Sequence, residues 1–224
     1  MVDLMTAVSC CGPRTRGRPK PISEDERRGR LIQAAEDVFI ERGYGLATMD
    51  DVSRRAGMSK KTIYQLFATK QALFEALLAQ YIEHLMMPIR ADDGTRSPRA
   101  VLEEFLTQLA RFVLSPRQVA MNRLVISEAL RTPELAQSFM RQAVDRGRGT
   151  LIQWFERQHE RGALYIEDAD EATSMLCGFV ISEPQMRLLY AYDAPPTWAM
   201  IDHRVKRGLD IFFRGTGADP RAPA

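Results

Sequence analysis

Cysteine is scarce in this chain: 3 among 224 residues, two of them adjacent at Cys10 and Cys11. An adjacent pair and a remote Cys177 make neither a disulfide framework nor the paired spacing of a zinc site, so a reducing, cytoplasmic setting is the simplest expectation. Long apolar runs are missing too. No stretch approaches the roughly 18 apolar residues of a membrane span. Leu4 to Cys11 is mildly apolar, short and without a preceding cationic segment, so no secretory signal is expected. Histidine is as sparse as cysteine. His84, His159 and His203 are far apart, and none falls in a zinc-protease or nucleophile motif. Gly147 and Gly149 have no preceding strand and no following Lys-Ser/Thr, which excludes a phosphate loop and leaves close packing or a bend. Glu167, Asp168, Asp170 and Glu171 gather where a helix begins, a place where carboxylates favour the helix dipole rather than a metal. No catalytic residue, metal site or cofactor is therefore expected. Distant residues can still meet in space, so catalysis in the C-terminal helices stands as an alternative. No apolar-polar alternation marks a strand, and the expected fold class is all-α with about nine helices.

What the chain does have is apolar content and an uneven charge. Hydrophobic residues make up 45% of it, enough at this length for one large or two small domains with real cores. The formal net charge of +2 hides an asymmetry: residues 1–70 hold 13 Lys/Arg against 9 Asp/Glu, and the remainder holds 18 against 20. The basic N-terminal third suits a polyanionic partner; the rest does not.

Residues 1–21 lack an apolar period and carry Pro13, Pro19 and Pro21 among Gly and Arg, the composition of a flexible arm. Within it, Arg16-Gly17-Arg18-Pro19 has two readings: an AT-hook-like core laying Arg16 and Arg18 into a narrow minor groove, or a solvated tail adding positive charge. Ser23 and Glu26 form a capping box for a helix running to about Arg42, with Leu31, Ile32, Ala35, Val38 and Phe39 on its inner face. Thr48, with Asp51 three residues on, caps a short helix that Gly57 ends. Ser59 caps the next, whose inner face is Ile63, Leu66 and Phe67. Lys60, Lys61, Thr62, Tyr64 and Gln65 then point outward, all able to reach phosphates or base edges. From Arg54 to Lys70 there are five basic residues and no acidic one. This is the pattern of a helix-turn-helix with an electropositive second helix.

Thr69 caps a fourth helix, limited by Pro88 and carrying so many apolar positions (Leu73 to Leu85) that it must be buried on two sides. Ala91 to Ser97 reads as a linker. Ser97-Pro98, Ser115-Pro116 and Thr132-Pro133 each pair a hydroxyl cap with proline at the first helical position. A helix starts near Asp168, with Pro184 expected to kink or break it. The last runs from Trp198 to Arg214. The segments expected are an arm (1–21), a helix-turn-helix domain (22–70), an effector and dimerisation domain (71–214) and a disordered tail (215–224).

With those residues in view, residues 27–78 closely resemble the N-terminal domain of the tetracycline-repressor (TetR/AcrR) family of bacterial regulators. Gly-Tyr after the first helix, Thr-Met-Asp-Asp-Val, Ala-Gly-Met-Ser, Thr-Ile-Tyr-x-x-Phe and the following Lys match the family pattern in order. Departures are minor: Ala47, Lys61 and Thr69 stand where a hydroxyl residue, Gly and Ser are frequent. Lys61 in that place can add a phosphate contact or steer base preference. The C-terminal two-thirds match only in helix number and length.

The resemblance implies a homodimer on double-stranded, palindromic operator DNA, with a small-molecule effector. It implies phosphate contacts from Thr48, Tyr64 and Lys70, and base-edge contacts from Ser59, Lys60, Lys61 and Thr62. It also implies that the last two helices dimerise, with Trp198, Ile201, Val205 and Phe212 as candidates. The middle helices would enclose an effector pocket, with Phe105, Leu109, Phe112, Met121, Val125, Trp154, Phe155 and Cys177 as candidate lining. Plain core is the competing reading for each of these apolar residues. The function expected is a ligand-responsive, sequence-specific regulator, a repressor released by an apolar or aromatic effector. An architectural DNA-binding protein without an effector is the other reading of the same basic helix.

Overall fold

Side-chain hydroxyls start most of these helices. In the computed structural model, which describes residues 23–215, Ser23, Thr48, Ser59, Thr69, Ser97 and Ser115 each accept a hydrogen bond from the backbone amide three residues on. Each bond satisfies an N–H that the first helical turn leaves without a partner. They open α1 (Glu24–Arg42), α2 (Met49–Arg55), α3 (Lys60–Leu66), α4 (Lys70–Leu85), α6 (Pro98–Val113) and α7 (Pro116–Glu128), with a single turn, α5 (Met87–Arg90), after α4. Thr132 does not cap as expected: its backbone, at ψ 72°, leaves the extended region, its hydroxyl makes no cap bond, and Pro133 begins α8 (Pro133–Phe139) without it.

Two long helical runs contain a widened turn. α8 passes through a π-helical segment, Met140–Asp145, into α9 (Arg146–Glu160). α10 (Ala169–Cys177), capped by Asp168, passes through a second, Gly178–Ser182, into α11 (Glu183–Leu189). Pro184 therefore does not break its helix. A proline has no N–H to give and its ring crowds the carbonyl four residues back; the wider turn before it absorbs both demands. α12 (Trp198–Gly215) closes the described chain, one residue past the expected end. Among the described residues there are 10 helical runs and no strand, and the run beyond the expected nine is α5, too short to show a period.

The buried side chains form two cores. One joins α1, α2, α3 and the first half of α4 (Leu73, Phe74, Leu77, Leu78), with Met121, Leu124 and Val125 of α7 and Leu135 of α8. The other joins Ile82, Leu85 and Met86 to α6, α9, α10, α11 and α12. α4 thus contributes to both, as its excess of apolar positions suggests. Near its end α9 packs on it at Gly147, where a Cβ would make ordinary contact, 3.6 Å, with Ile82 Cδ1 and Met86 Cε.

Candidate nucleic-acid interface and effector cavity

α2 and α3 are held on α1 by Met49, Val52, Ile63 and Phe67, all buried, while Phe39, Tyr44 and Phe74 pack ring to ring at 5.3–6.0 Å beneath them. Gly57, at φ +65°, makes the left-handed turn between the two helices, a conformation that costs glycine nothing. With Ile63 turned inward, Lys60, Lys61, Tyr64 and Gln65 are left exposed on α3, and Thr62 is half-buried. Three residues implied as DNA contacts have local duties. The Thr48 hydroxyl accepts from the Asp51 amide, and the Thr48 backbone N–H donates to Asp51 Oδ2 at 3.2 Å, completing a capping box; the hydroxyl also donates to Oδ2 at 2.7 Å. Ser59 takes the Thr62 amide at 3.1 Å, and the two hydroxyls lie 2.9 Å apart. Lys60 is paired with Asp50 across the turn. Among the described residues Lys61 is joined to no carboxylate, which leaves its charge for a partner.

Lys70 is placed differently from the free phosphate contact that the resemblance implies. Its ammonium donates to the Tyr44 and Ala47 carbonyls at 2.6 and 2.9 Å and lies 4.4 Å from the Tyr44 ring centre. The α1–α2 turn presents those carbonyls to one point, and Lys70 braces it. Burial pulls its pKa below the usual lysine value, against the opposing charge of Glu128. Asp51 is the other electrostatic anchor. The Thr48 hydroxyl bond, aided by the Thr48 amide, Arg42 and Arg54, holds its carboxyl below the usual aspartate range. Arg16 and Arg18 lie outside the described residues.

A cavity of about 560 Å³ opens between α4, α6, α7, α8, α9 and α10. Phe105, Leu109, Phe112, Val125 and Cys177 line it. Met121, Trp154 and Phe155 do not. Met121 turns into the core beneath α1, the Trp154 indole N–H donates to Asp92 at 2.7 Å, and Phe155 packs on Phe212 at 5.7 Å. Sequence reasoning missed the polar part of the wall: Tyr81, Gln118, Asn122, Arg148, Thr173 and Gln185. Its trace was there in Gln118/Asn122 and Thr173/Cys177, polar residues four apart on the inner faces of α7 and α10. Burial pushes the Cys177 thiol up to about 11, so it stays protonated at neutral pH. Among the described residues no group of His, Cys, Asp or Glu is arranged to hold a metal ion.

The α12 candidates for dimerisation are mostly core. Ile201, Val205 and Phe212 are at most 4% exposed and pack inward. Only Trp198, 61% exposed, lies outside, because the apolar stripe of α12 faces α6. The exposed apolar side chains are instead Met175 and Phe179 on the run from α10, Met186 on α11, and Met200 and Ile211 on α12.

An exposed basic α3 set by a glycine turn on a helical base, with a second helical domain behind it, defines a helix-turn-helix regulator. Residues 31–77 match the family described as "Bacterial regulatory proteins, tetR family", and residues 100–215 match "AefR-like transcriptional repressor, C-terminal domain". The chain belongs to the tetR family of transcriptional regulators, whose helix-turn-helix binds DNA. It is 39% identical over 99 residues (42% of this chain, 44% of that protein) to the HTH-type transcriptional activator FasR of Mycolicibacterium smegmatis. It is 32% identical over 123 residues (54% and 56%) to the regulator SrpR of Pseudomonas putida. The chain spans about half the length of these two relatives. Among solved structures it resembles a TetR-family regulator of Mesorhizobium loti (TM-score 0.73, 20% identity, 86% of this chain and 97% of that one). It also resembles the Flavonoid-responsive Regulator FrrA (TM-score 0.67, 26% identity, 88% and 100%). No helix among the described residues is long and apolar enough to cross a membrane.

Proposed function

We propose that this protein is a sequence-specific repressor that leaves a palindromic operator when a small, largely apolar molecule occupies the 560 Å³ cavity. The observation that carries the reading is the position of α4. Its first half belongs to the core under α2 and α3, and its second half (Tyr81, Ile82, Leu85) lines the cavity. A ligand that prefers a different placement of α4 changes DNA affinity by that preference; a coupling of roughly 1–3 kcal/mol is a 5- to 150-fold change. The C-terminal match to a repressor family and the likeness to a regulator named as flavonoid-responsive support this direction. Lys61, Lys60, Thr62 and Tyr64 form the DNA surface in this reading, with Ser59 and Thr48 shaping the helix starts. Base-edge contacts fall to Lys61 and Lys60 and phosphate contacts to Tyr64.

The protein acts as a homodimer in this reading. The exposed Phe179, Met186 and Met200 face supplies the interface, and two-fold symmetry sets half-sites roughly 34–36 Å apart. The test is a titration against specific and competitor DNA at fixed salt, with the operator first obtained by selecting bound genomic fragments. A specificity ratio of about 10³ or more supports a regulator, and a ratio near one favours an architectural protein.

A further inference from the structure

The cavity wall is unusual in its charge. Among the described residues its lining contains no Asp, Glu, Lys or His, and the one full charge is Arg148. That guanidinium is already neutralised by Asp170, 2.6 Å away on α10. A cationic ligand would meet no carboxylate among the lining residues, and an anionic one would meet a guanidinium whose charge Asp170 already balances. Either brings an unbalanced charge into a mostly apolar enclosure, which is costly.

Two polar groups in the same wall have the opposite problem. Among the described residues Thr173, fully buried on α10, has no hydrogen-bond partner for Oγ1, and the Tyr81 hydroxyl on α4 is also buried and without one. The Tyr81 ring packs edge-on against Phe112, 4.8 Å between centres. The Glu36 carboxylate and the Arg117 guanidinium lie close to that hydroxyl, outside the geometry of a full hydrogen bond. Buried hydroxyls without partners are rare because each forfeits its bonds to water. Burial raises the Tyr81 phenol well above its usual value, so both groups are neutral donors and acceptors.

We infer that the ligand of this cavity is an uncharged, mostly apolar molecule bearing two separate hydroxyl or carbonyl groups, one meeting Thr173 and the other Tyr81. This rests on the cavity being the effector site. It goes further in excluding carboxylates and ammonium ions and in assigning the two hydroxyls as the specificity contacts.

The test uses the full chain and four biphenyl probes of one skeleton at neutral pH: biphenyl, 4,4′-dihydroxybiphenyl, biphenyl-4-carboxylate and 4-(aminomethyl)biphenyl. Binding is read by calorimetry. The diol is expected to bind at least about tenfold more tightly than the other three, since each neutral hydrogen bond is worth several-fold in affinity. Thr173→Val should lower diol affinity roughly 5- to 10-fold and leave biphenyl unchanged, Thr173→Ser should restore it, and Tyr81→Phe should act like the valine variant. Tighter binding of the carboxylate or the ammonium, or a diol affinity indifferent to Thr173→Val and Tyr81→Phe, overturns the inference while leaving the cavity as the site. Leu109→Trp, which fills the cavity, separates the two failures: diol binding that survives it, or silence from all four probes, overturns the cavity reading itself.

Discussion

Thr173 and Lys70 show how differently two polar side chains can be accommodated. The Thr173 hydroxyl is buried without a partner, and that cost is carried by the empty protein. Thr173→Val keeps the shape and removes the group, so the ligand-free variant should be more stable by about 1 kcal/mol. In a chain of this size that raises the melting temperature by roughly 2–4 °C, measurable by calorimetry. A lower melting temperature would mean that the hydroxyl finds a partner in solution. Lys70 is the reverse case, a charge made useful by its surroundings. Its ammonium gathers the Tyr44 and Ala47 carbonyls and lies on the Tyr44 ring, so the α1–α2 turn depends on it. Lys70→Met should destabilise the N-terminal domain by about 1.5–3 kcal/mol, the usual worth of hydrogen bonds to a charged group. It should weaken binding to specific and random DNA alike, because the turn positions α2 and α3 without reading bases. Unchanged thermal stability, with DNA affinity alone reduced, would return Lys70 to the phosphate surface.

At the level of elements, α7 is the helix that most changes the picture given by the sequence. Met121, Leu124 and Val125 pack beneath α1, while Gln118, Asn122 and Val125 line the cavity. Its first turn is also pinned to α1: Arg117 Nε bonds Glu36 Oε1 at 2.5 Å, and the same guanidinium meets Asp37. Glu36 is only 5% exposed, so it relies on this partner, and α7 becomes a second connection between cavity and DNA surface beside α4. Arg117→Ala should cost about 1–3 kcal/mol, discounted because the arginine is half-exposed, and should shrink the response of DNA binding to an effector. Full response in a fluorescence-anisotropy titration of the variant would leave α4 as the whole connection.

The starts of α1 to α4 were legible because a cap is a local bargain between a hydroxyl and an amide three residues on. Ser59 and Thr48 needed nothing from the rest of the chain. The wall of the cavity was not legible in that way. Trp154 looks like a lining residue until Asp92, 62 residues earlier, takes its N–H, and Phe155 looks like one until Phe212 covers it. Which apolar face meets empty space is decided by helix crossings, and the pattern within one helix carries no record of them. Nor does it record that the π-helical turn ahead of Pro184 lets α10 and α11 run on as one.

For the whole molecule, the proposed function raises the question of how two recognition helices would face one duplex. A single α3, only Lys60–Leu66, reaches one major groove, and sequence-specific affinity then depends on a second copy held at the right distance. The C-terminal helices were expected to supply that second copy through Trp198, Ile201, Val205 and Phe212, yet all of these but Trp198 are enclosed within their own chain. What remains outside is Phe179, Met186, Met200 and Trp198, which are 43–61% exposed on neighbouring elements. Gly208 brings those elements together: a Cβ there would lie 3.2 Å from Val180 Cγ2, so α12 is pressed against the π-helical turn that carries Phe179. Charge placed on this face therefore tests assembly without touching the core. Phe179→Glu should yield a folded monomer by sedimentation, with an unchanged helical circular-dichroism spectrum. Its affinity for a full palindrome should fall to that for a single half-site. Phe212→Ala, by contrast, removes a buried ring and should cost about 3–5 kcal/mol of stability, so a loss of assembly there would report on folding instead. A Phe179→Glu protein that still sediments as a dimer, or binds the palindrome as tightly as before, would move the interface to another face.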